Sequence, residues 1–264
     1  HSPYEGAKTL IDIIDRTLSP MGGRLLKRWI SLPLKDIQPL NERLDIVQHL
    51  VEKGIFKDEI SILLRQIGVL ERLASKAAVN RINPREAGQL NKALKAIGRL
   101  KELCESSGCI PLVKIGEQLN PCQFIADKIE HDLNSDPPVQ INRGNIIAEG
   151  VSSELDELRL ILYNGKDYLA DLQDRESART GISSLKVGYN NIFGYYIEVR
   201  NTHKDKVPAE WIRKQTLVSA ERYITAELKE YEDKILGAEE KILNLETKLF
   251  NDLVFAITEY IPLI

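Results

Sequence analysis

The sequence predicts a mainly α-helical protein with a small β insert: a helical bundle, then a long antiparallel two-helix arm carrying a β-rich unit at its tip. Apolar residues recur at steps of three and four through most of the 264 residues, which is typical of helices. The stretch GYNNIFGYYIEV breaks that pattern with Asn and Gly among aromatic and β-branched residues, which favour a hairpin. The predicted divisions are a helical core at 1–150, helices at 151–180 and 223–264, and the β unit at 181–222.

Composition and charge exclude several classes of protein. The chain is 43% hydrophobic and 28% charged, and its formal net charge is −3, so the overall charge does not indicate a nucleic-acid partner. No stretch approaches the roughly 20 apolar residues of a membrane span, and no signal peptide is recognisable. Cys104, Cys109 and Cys122 form no CxxC pair and the histidines lie far apart, so we expect a reduced cytoplasmic protein without metal or cofactor. Because the chain begins with His-Ser, we expect a section of a longer protein.

The first 130 residues are predicted to be helices. Residues 9–18 fit either a short helix or a short strand, and periodicity does not decide. Ser19 and Pro20 suit the start of a helix that ends near Pro33, with Trp29 expected in the core. Three amphipathic segments follow: DIQPLNERLDIVQHLVEK, KDEISILLRQIGVLERLASKAAV and, capped by its own Asn, NPREAGQLNKALKAIGRLKELCES. The Pro- and Gly-rich stretch 134–150 is a predicted boundary with a short strand near Ile146.

Two apolar stripes flank the β unit and favour a paired arm. The stripe after it steps by four and three without a miss, through Ile224, Leu228, Tyr231, Ile235, Ala238, Ile242, Leu245 and Leu249. The stripe before it is formed by Leu155, Leu158, Leu162, Gly165, Leu169 and Leu172. Each stripe would expose leucines unless covered, so we predict that the two helices run antiparallel and bury each other's stripe. Separate packing of both helices on the bundle is the alternative.

The β unit at 181–222 has a charge of its own. It holds seven Lys and Arg against four Asp and Glu, whereas the rest of the chain is acidic. SLKVGY and YYIEVR are predicted strands around the turn NNIFG, and KQTLVSAERYI is a third strand after the helical turn PAEWIRK. Tyr195, Tyr196 and Tyr223 could stack on bases, but their positions on strands or at a helix start favour packing within the fold, and Trp211 is expected in the core. A turn rich in Gly and Asn leaves backbone N–H groups open to a phosphate, which suits DNA-backbone contact without sequence readout.

Several stretches together resemble the MutS family of DNA mismatch repair proteins. They are DRTLSPMGGRLLKRWISLPLKD, ELDELR, TGISSLKVGYNNIFGYYIEV and RKQTLVSAERYITAELKEYEDKI, and the resemblance extends over essentially the whole chain. It implies a core, two lever helices and a clamp that touches double-stranded DNA. It also implies that two subunits of the full-length parent close around the duplex as a homodimer, with other repair proteins as further partners.

The resemblance further implies that the parent is a DNA-dependent ATPase that uses ATP and Mg²⁺. This chain contains no GxxxxGK[ST] phosphate loop and no catalytic constellation, so we expect neither ATP hydrolysis nor another enzymatic activity from it.

The resemblance also implies which residues contact the DNA backbone. Carried over by position, they are Asn190, Asn191, Ile192 and Phe193 in the hairpin turn, then Lys214, Thr216 and Ser219. Some relatives have Lys-Asn where this chain has Val218-Ser219. That departure removes a cation and an amide and puts Val218 in doubt as a contact. It predicts that this part of the chain binds phosphate more weakly or at a shifted position.

A second class of function stays open from the sequence. A helical scaffold whose β tip binds a protein partner would present apolar or aromatic anchors, and Ile192 and Phe193 qualify. Lys, Asn, Ser and Thr are more numerous at the tip and favour phosphate contact. A nuclease or hydrolase has the least support, because Asp12, Asp15 and Asp36 are accompanied by no nucleophile or base.

Overall fold

A computed structural model describes residues 8–68, 70–190 and 192–264. The chain forms two compact units, one made of the residues up to Ala148 with Leu249–Ile264 and the other of Glu149–Lys248. The helices are α1 (Leu10–Ile14), α2 (Pro20–Ser31), α3 (Ile37–Glu52), α4 (Gly54–Ile67), α5 (Leu70–Ala78), α6 (Pro84–Glu105), α7 (Ile110–Gln118), α8 (Gln123–Asp132), α9 (Ser153–Thr180) and α10 (Ala226–Tyr260). The strands are β1 (Lys186–Asn190), β2 (Gly194–Arg200), β3 (Ile212–Thr216) and β4 (Ala220–Ile224). The predicted class, mainly α with a small β insert, is confirmed.

The first unit is a helical bundle built around α6. Leu90 and Leu94 of α6 are fully buried, as are Ile125 of α8 and Ile257 of α10. The predicted caps form: the Ser19 hydroxyl accepts from Gly22 N at 3.1 Å, and Asn83 and Glu86 make a reciprocal capping box. These caps satisfy donors that a helix start leaves free, which explains why α2 and α6 begin where the sequence indicates.

Two expectations for the first unit are wrong. The segment predicted as one helix over 57–79 is divided into α4 and α5, because Gly68 takes a φ of +53° that only glycine adopts readily. Trp29 is not in the core. Its side chain is 40% exposed, and the Arg43 guanidinium lies 3.5 Å from its ring centroid. The cation covers the ring face that a core residue would otherwise cover.

In the second unit, α9 and α10 run antiparallel where side chains join them. The described members of both predicted stripes are buried or half-buried. Residue numbers rise along α9 as those of their α10 partners fall, in the contacts Arg159 Nη2–Glu246 Oε1 at 2.6 Å, Tyr168–Tyr231 at 4.5 Å between rings, and Arg175 Nη2–Glu227 Oε2 at 2.6 Å. The helix α10 lies in this unit as far as Lys248, and its remaining residues belong to the first unit.

The insert between α9 and α10 is a four-stranded antiparallel sheet of order β1-β2-β4-β3. One face covers a core of Leu172 and Leu228 from the helices with Ile197, Trp211 and Tyr223 from the sheet region. The predicted third strand is in fact two strands with a turn between them. The short helix expected at PAEWIRK is also misplaced: a 3₁₀ helix forms earlier, at Asn201–Lys206.

Candidate functional site

The residues predicted to contact DNA fall into two groups at opposite ends of the sheet. The β1–β2 turn closes at the pair Asn190–Gly194, at the start of β2. The β3–β4 turn lies beside the other end of β2, where Arg200 pairs with Ala220. Six residue steps along β2 separate these ends, about 20 Å at 3.3 Å per residue. The structure therefore does not bring the predicted residues together into one patch.

The first group lies at the β1–β2 turn. The Asn190 Oδ1 accepts a hydrogen bond from Ile192 N at 2.8 Å, which holds the turn closed from within. The Ile192 side chain is 91% exposed, whereas the Phe193 ring lies 5.8 Å from that of Tyr196. Asn191 lies outside the described residues. Among its described residues, this turn thus offers the exposed apolar side chain of Ile192 and the side-chain amide nitrogen of Asn190.

The end of the first turn lies against α10. Gly194, with a φ of +80°, faces the Glu232 carboxylate, and Tyr195 N donates to Glu232 Oε2 at 3.4 Å. The Tyr195 ring lies 4.9 Å from Tyr189 and 6.0 Å from Tyr231. The first turn consequently lies beside α10.

The second turn is short and held by an asparagine. Leu217 N donates to Ala220 O at 2.8 Å across it. Asn201 donates twice, from its backbone N to Ser219 O at 3.1 Å and from Nδ2 to Val218 O at 3.0 Å. Val218 is fully exposed and Ser219 is exposed. The Val218 and Ser219 carbonyl groups are therefore engaged, and the side chains of these two residues are exposed to solvent.

Lys214 stands where the β3–β4 ladder is interrupted. The register passes from Arg213–Tyr223 to Gln215–Arg222, so Lys214 is the extra residue of a β-bulge. Its side chain is exposed and forms no ion pair among the described residues. Thr216, two residues on, is also exposed. The bulge therefore presents an uncompensated cation near an exposed hydroxyl.

The two arginines of β3 and β4, unlike Lys214, are paired with carboxylates. Arg213 Nη1 lies 3.2 Å from Glu221 Oε1, and Arg222 Nε lies 3.0 Å from Glu198 Oε2. A hydrogen bond donated by the Tyr223 hydroxyl lowers the pKa of Glu221, helped by the charge of Arg213, so this carboxylate stays ionised at neutral pH. Burial, with the same hydrogen bond, raises the pKa of Tyr223 to about 12. Arg213 and Arg222 therefore hold the sheet together through ion pairs, whereas Lys214 forms no ion pair among the described residues.

The outer face of the sheet carries a row of polar side chains across all four strands, which sequence reasoning did not find. The register aligns Lys186, Glu198, Arg222 and Gln215, and Arg222 Nη1 donates to Gln215 Oε1 at 3.0 Å. The Arg222 guanidinium also lies 4.2 Å from the Tyr196 ring centroid. The row depends on strand order, which the sequence alone does not show.

In the part of the chain that the structure describes, no group of three or more His, Cys, Asp or Glu side chains could hold a metal ion. No helix over those residues is both long enough and apolar enough to cross a membrane.

The second unit has the architecture of a known domain class. A family model described as MutS family domain IV matches residues 150–241, which hold α9, the whole sheet and the first part of α10.

Proteins named DNA mismatch repair protein MutS match nearly the whole chain. The one from Phocaeicola vulgatus is 62% identical over 263 residues, 100% of this chain and 30% of its own length. The one from Parabacteroides distasonis is 61% identical over 96% of this chain and 29% of its own length. A third, from Flavobacterium johnsoniae, is 55% identical over 99% of this chain and 30% of its own length. The chain belongs to the MutS family, and it spans about 30% of the length of these relatives.

Proposed function

We propose that this chain is the section of a mismatch repair protein that contacts the backbone of double-stranded DNA without reading its sequence. The observation that carries the proposal is Lys214, an exposed cation at a β-bulge with no carboxylate partner among the described residues. Thr216 and Ser219 supply exposed hydroxyls near it. Lysine and hydroxyl groups are the side chains that proteins use on phosphate oxygens, and such contacts position a duplex without specifying bases.

The first turn is a second proposed contact of the same duplex. Phosphates recur every 3.4 Å along each strand, so the roughly 20 Å between the two turns corresponds to about six phosphates. A duplex lying along β2 would meet Asn190, Asn191, Ile192 and Phe193 at one end and Lys214, Thr216 and Ser219 at the other. The neutral first turn would add few counterion-releasing contacts, so most of the salt dependence would come from the second end.

The roles of the helices are proposed from the names of the relatives and the continuity of α10. In the full-length protein, α9 and α10 would act as levers between the DNA-bound sheet and an ATPase domain outside this chain. That domain would bind ATP and Mg²⁺, and two copies of the full-length protein would close on the duplex. Tight contacts along α9 and α10, such as Arg159–Glu246 at 2.6 Å, support a pair able to transmit movement.

A second candidate function is supported by two side chains. Ile192 is 91% exposed at the first turn and Val218 is fully exposed at the second. Exposed apolar residues at both turns are what a protein-binding scaffold would present. They lie about 20 Å apart rather than in one patch, which favours the DNA proposal.

The deciding experiment is a salt titration of binding to fluorescent duplex DNA, perfect and mismatched, by the 264-residue chain. We expect weak binding without mismatch preference. With two or three phosphate contacts, the slope of log affinity against log salt would be about −2 to −3. Lys214→Glu should weaken binding to both duplexes. Lys241→Glu is the matched control, because it makes the same charge change at an exposed position of α10.

Equal losses from Lys214→Glu and Lys241→Glu would show a general charge effect and reject the site. Binding that is independent of salt, or selective for the mismatch, would reject backbone contact altogether. The protein-binding scaffold would then be the better account.

A further inference from the structure

The second turn has a neighbour that brings additional positive charge. The 3₁₀ helix Asn201–Lys206 follows β2 directly and is joined to the turn by the two hydrogen bonds that Asn201 donates to Val218 O and Ser219 O. Arg200, the last residue of β2, lies in register with Ala220, the first residue after the turn. The 3₁₀ helix and the turn therefore form one joined end of the sheet.

The cations of this segment are exposed, and the same 3₁₀ helix also holds one carboxylate, Asp205. Arg200, Lys204 and Lys206 are exposed, and none forms an ion pair among the described residues. The turn itself contributes only the neutral side chains of Val218 and Ser219. Positive charge at this end consequently comes from the neighbouring segment and from Lys214.

The geometry of a 3₁₀ helix separates these lysines. With three residues per turn, residues i and i+3 are eclipsed, so Lys204 lies on the same side as Asn201, the side that meets the turn. Lys206 lies two residues further and faces another direction. The charge of Lys204 also contributes to lowering the pKa of Glu221, which places it near the first residues of β4. Arg200 shares the outer face of β2 with Glu198, since alternate residues of a strand point the same way.

We infer that Arg200 and Lys204 bind phosphate groups of the DNA backbone beside the second turn and supply the charge that Val218 and Ser219 lack. This inference rests on the proposed function, because it adds two binding residues to the same site. Two cations held at one end of the sheet can each meet a phosphate of a duplex lying there, because phosphates recur every 3.4 Å per strand along the helix axis. Lys206 faces away from the second turn and, in this proposal, contacts no phosphate.

The test is the same salt titration with charge-removing variants of the full chain. Each lost phosphate contact lowers the magnitude of the salt slope by about 0.9. We expect Lys204→Gln and Arg200→Gln each to lower it by that amount, and the double variant to lower it by about 1.8. Lys206→Gln, the matched control on the same 3₁₀ helix, should leave the slope unchanged. Lys204→Arg should retain the slope, because the charge is kept.

The outcomes separate the inference from the function on which it rests. If Lys214→Gln lowers the slope while Lys204→Gln and Arg200→Gln do not, the two residues are not contacts and DNA binding by the sheet stands. If Lys206→Gln lowers the slope as much as Lys204→Gln, only the net charge of the segment matters and the inference is rejected. If none of these variants changes the slope, or the unmodified chain does not bind, the inference and the proposed function both fail.

Discussion

Gly194 and the carboxylate of Glu232 are in direct contact where the first turn of the sheet meets α10. A Cβ added to Gly194 would overlap both carboxylate oxygens of Glu232. The glycine also has a φ of +80°, a backbone conformation that residues with a side chain rarely adopt. Two separate requirements, space and backbone conformation, therefore fall on one residue. Gly194 thus lets the Glu232 carboxylate lie against the backbone at the end of the first turn.

Gly194→Ala should destabilise the chain by about 2 kcal/mol or more, since the backbone strain adds to the displacement of Glu232. Urea unfolding followed by circular dichroism would measure the loss. Gly181→Ala is the control, because Gly181 has a φ of +68° but nothing within 4 Å of an added Cβ. Gly181→Ala should lose only the stability that backbone strain removes. Equal losses of unfolding free energy from the two variants would show that displacing the Glu232 carboxylate costs nothing.

Truncating Glu246 should cost more than removing its ion pair altogether. The Glu246 side chain is 0% exposed, and its Oε1 lies 2.6 Å from Arg159 Nη2. Glu246→Ala would leave the guanidinium partly buried without this carboxylate, at a cost of about 3 kcal/mol. The double variant Glu246→Leu with Arg159→Met should be closer to the parent stability. A double-mutant cycle in urea with Glu246→Leu, Arg159→Met and their combination tests this, and a double loss equal to the sum of those two single losses would contradict it.

Ile235→Asp should unfold the helix pair, because a carboxylate would replace an isoleucine that is buried in the α10 stripe. A buried, unpaired charge places the loss among the largest for single substitutions, more than about 3 kcal/mol. Leu236→Asp, at the adjacent exposed position, is the control and should change the melting temperature little. Similar thermal melting of the two variants, followed by circular dichroism, would contradict the stripe.

Alkaline pH should weaken the second unit through Tyr231. Burial, with the neighbouring Tyr195 and Tyr168, raises the pKa of Tyr231 from 10.0 to about 12. The folded state therefore holds this proton more tightly than the unfolded state. The associated stability is fully present below about pH 10 and is lost as pH rises towards 12. Tyr231→Phe should show a smaller decline of the urea midpoint over that range, and an unchanged decline would exclude Tyr231 as the cause.

The 264-residue chain should not hydrolyse ATP, because its sequence contains no GxxxxGK[ST] phosphate loop. Release of inorganic phosphate by purified protein, with a mock purification as the control, is the measurement. Turnover above the mock level would show that the chain holds an ATPase site of another kind.

Local signals in the sequence were sufficient for much of the fold. Ser19 and Asn83 marked helix starts because an N-cap acts within its own turn, and the α10 stripe was readable because it repeats over many residues. The β3–β4 turn was missed because Leu217, Val218 and Ser219 include none of the Gly, Asn or Pro that usually mark a turn.

Properties that depend on tertiary neighbours were not readable. The sequence did not show that Trp29 lies on an exposed face, because residue type alone does not identify what covers a side chain. Glu246 resembled any surface glutamate of a long helix until Arg159 was seen beside it. The predicted DNA contacts were named in two stretches, but their separation by the length of β2 depends on the pairing of β2 with β4.

The bulge at Lys214 also bears on how the sheet remains separate from other chains. β3 is an edge strand, and an uninterrupted edge is a template on which another strand can add and start aggregation. A lysine in a bulge breaks the regular spacing of hydrogen-bonding groups and places a charge in the path of an incoming strand. At the opposite edge, Gln173 Oε1 accepts from Val187 N at 2.9 Å and occupies a donor that such a strand would need. Both edges are thus poor templates, and the sheet can stay accessible without recruiting a second copy of itself.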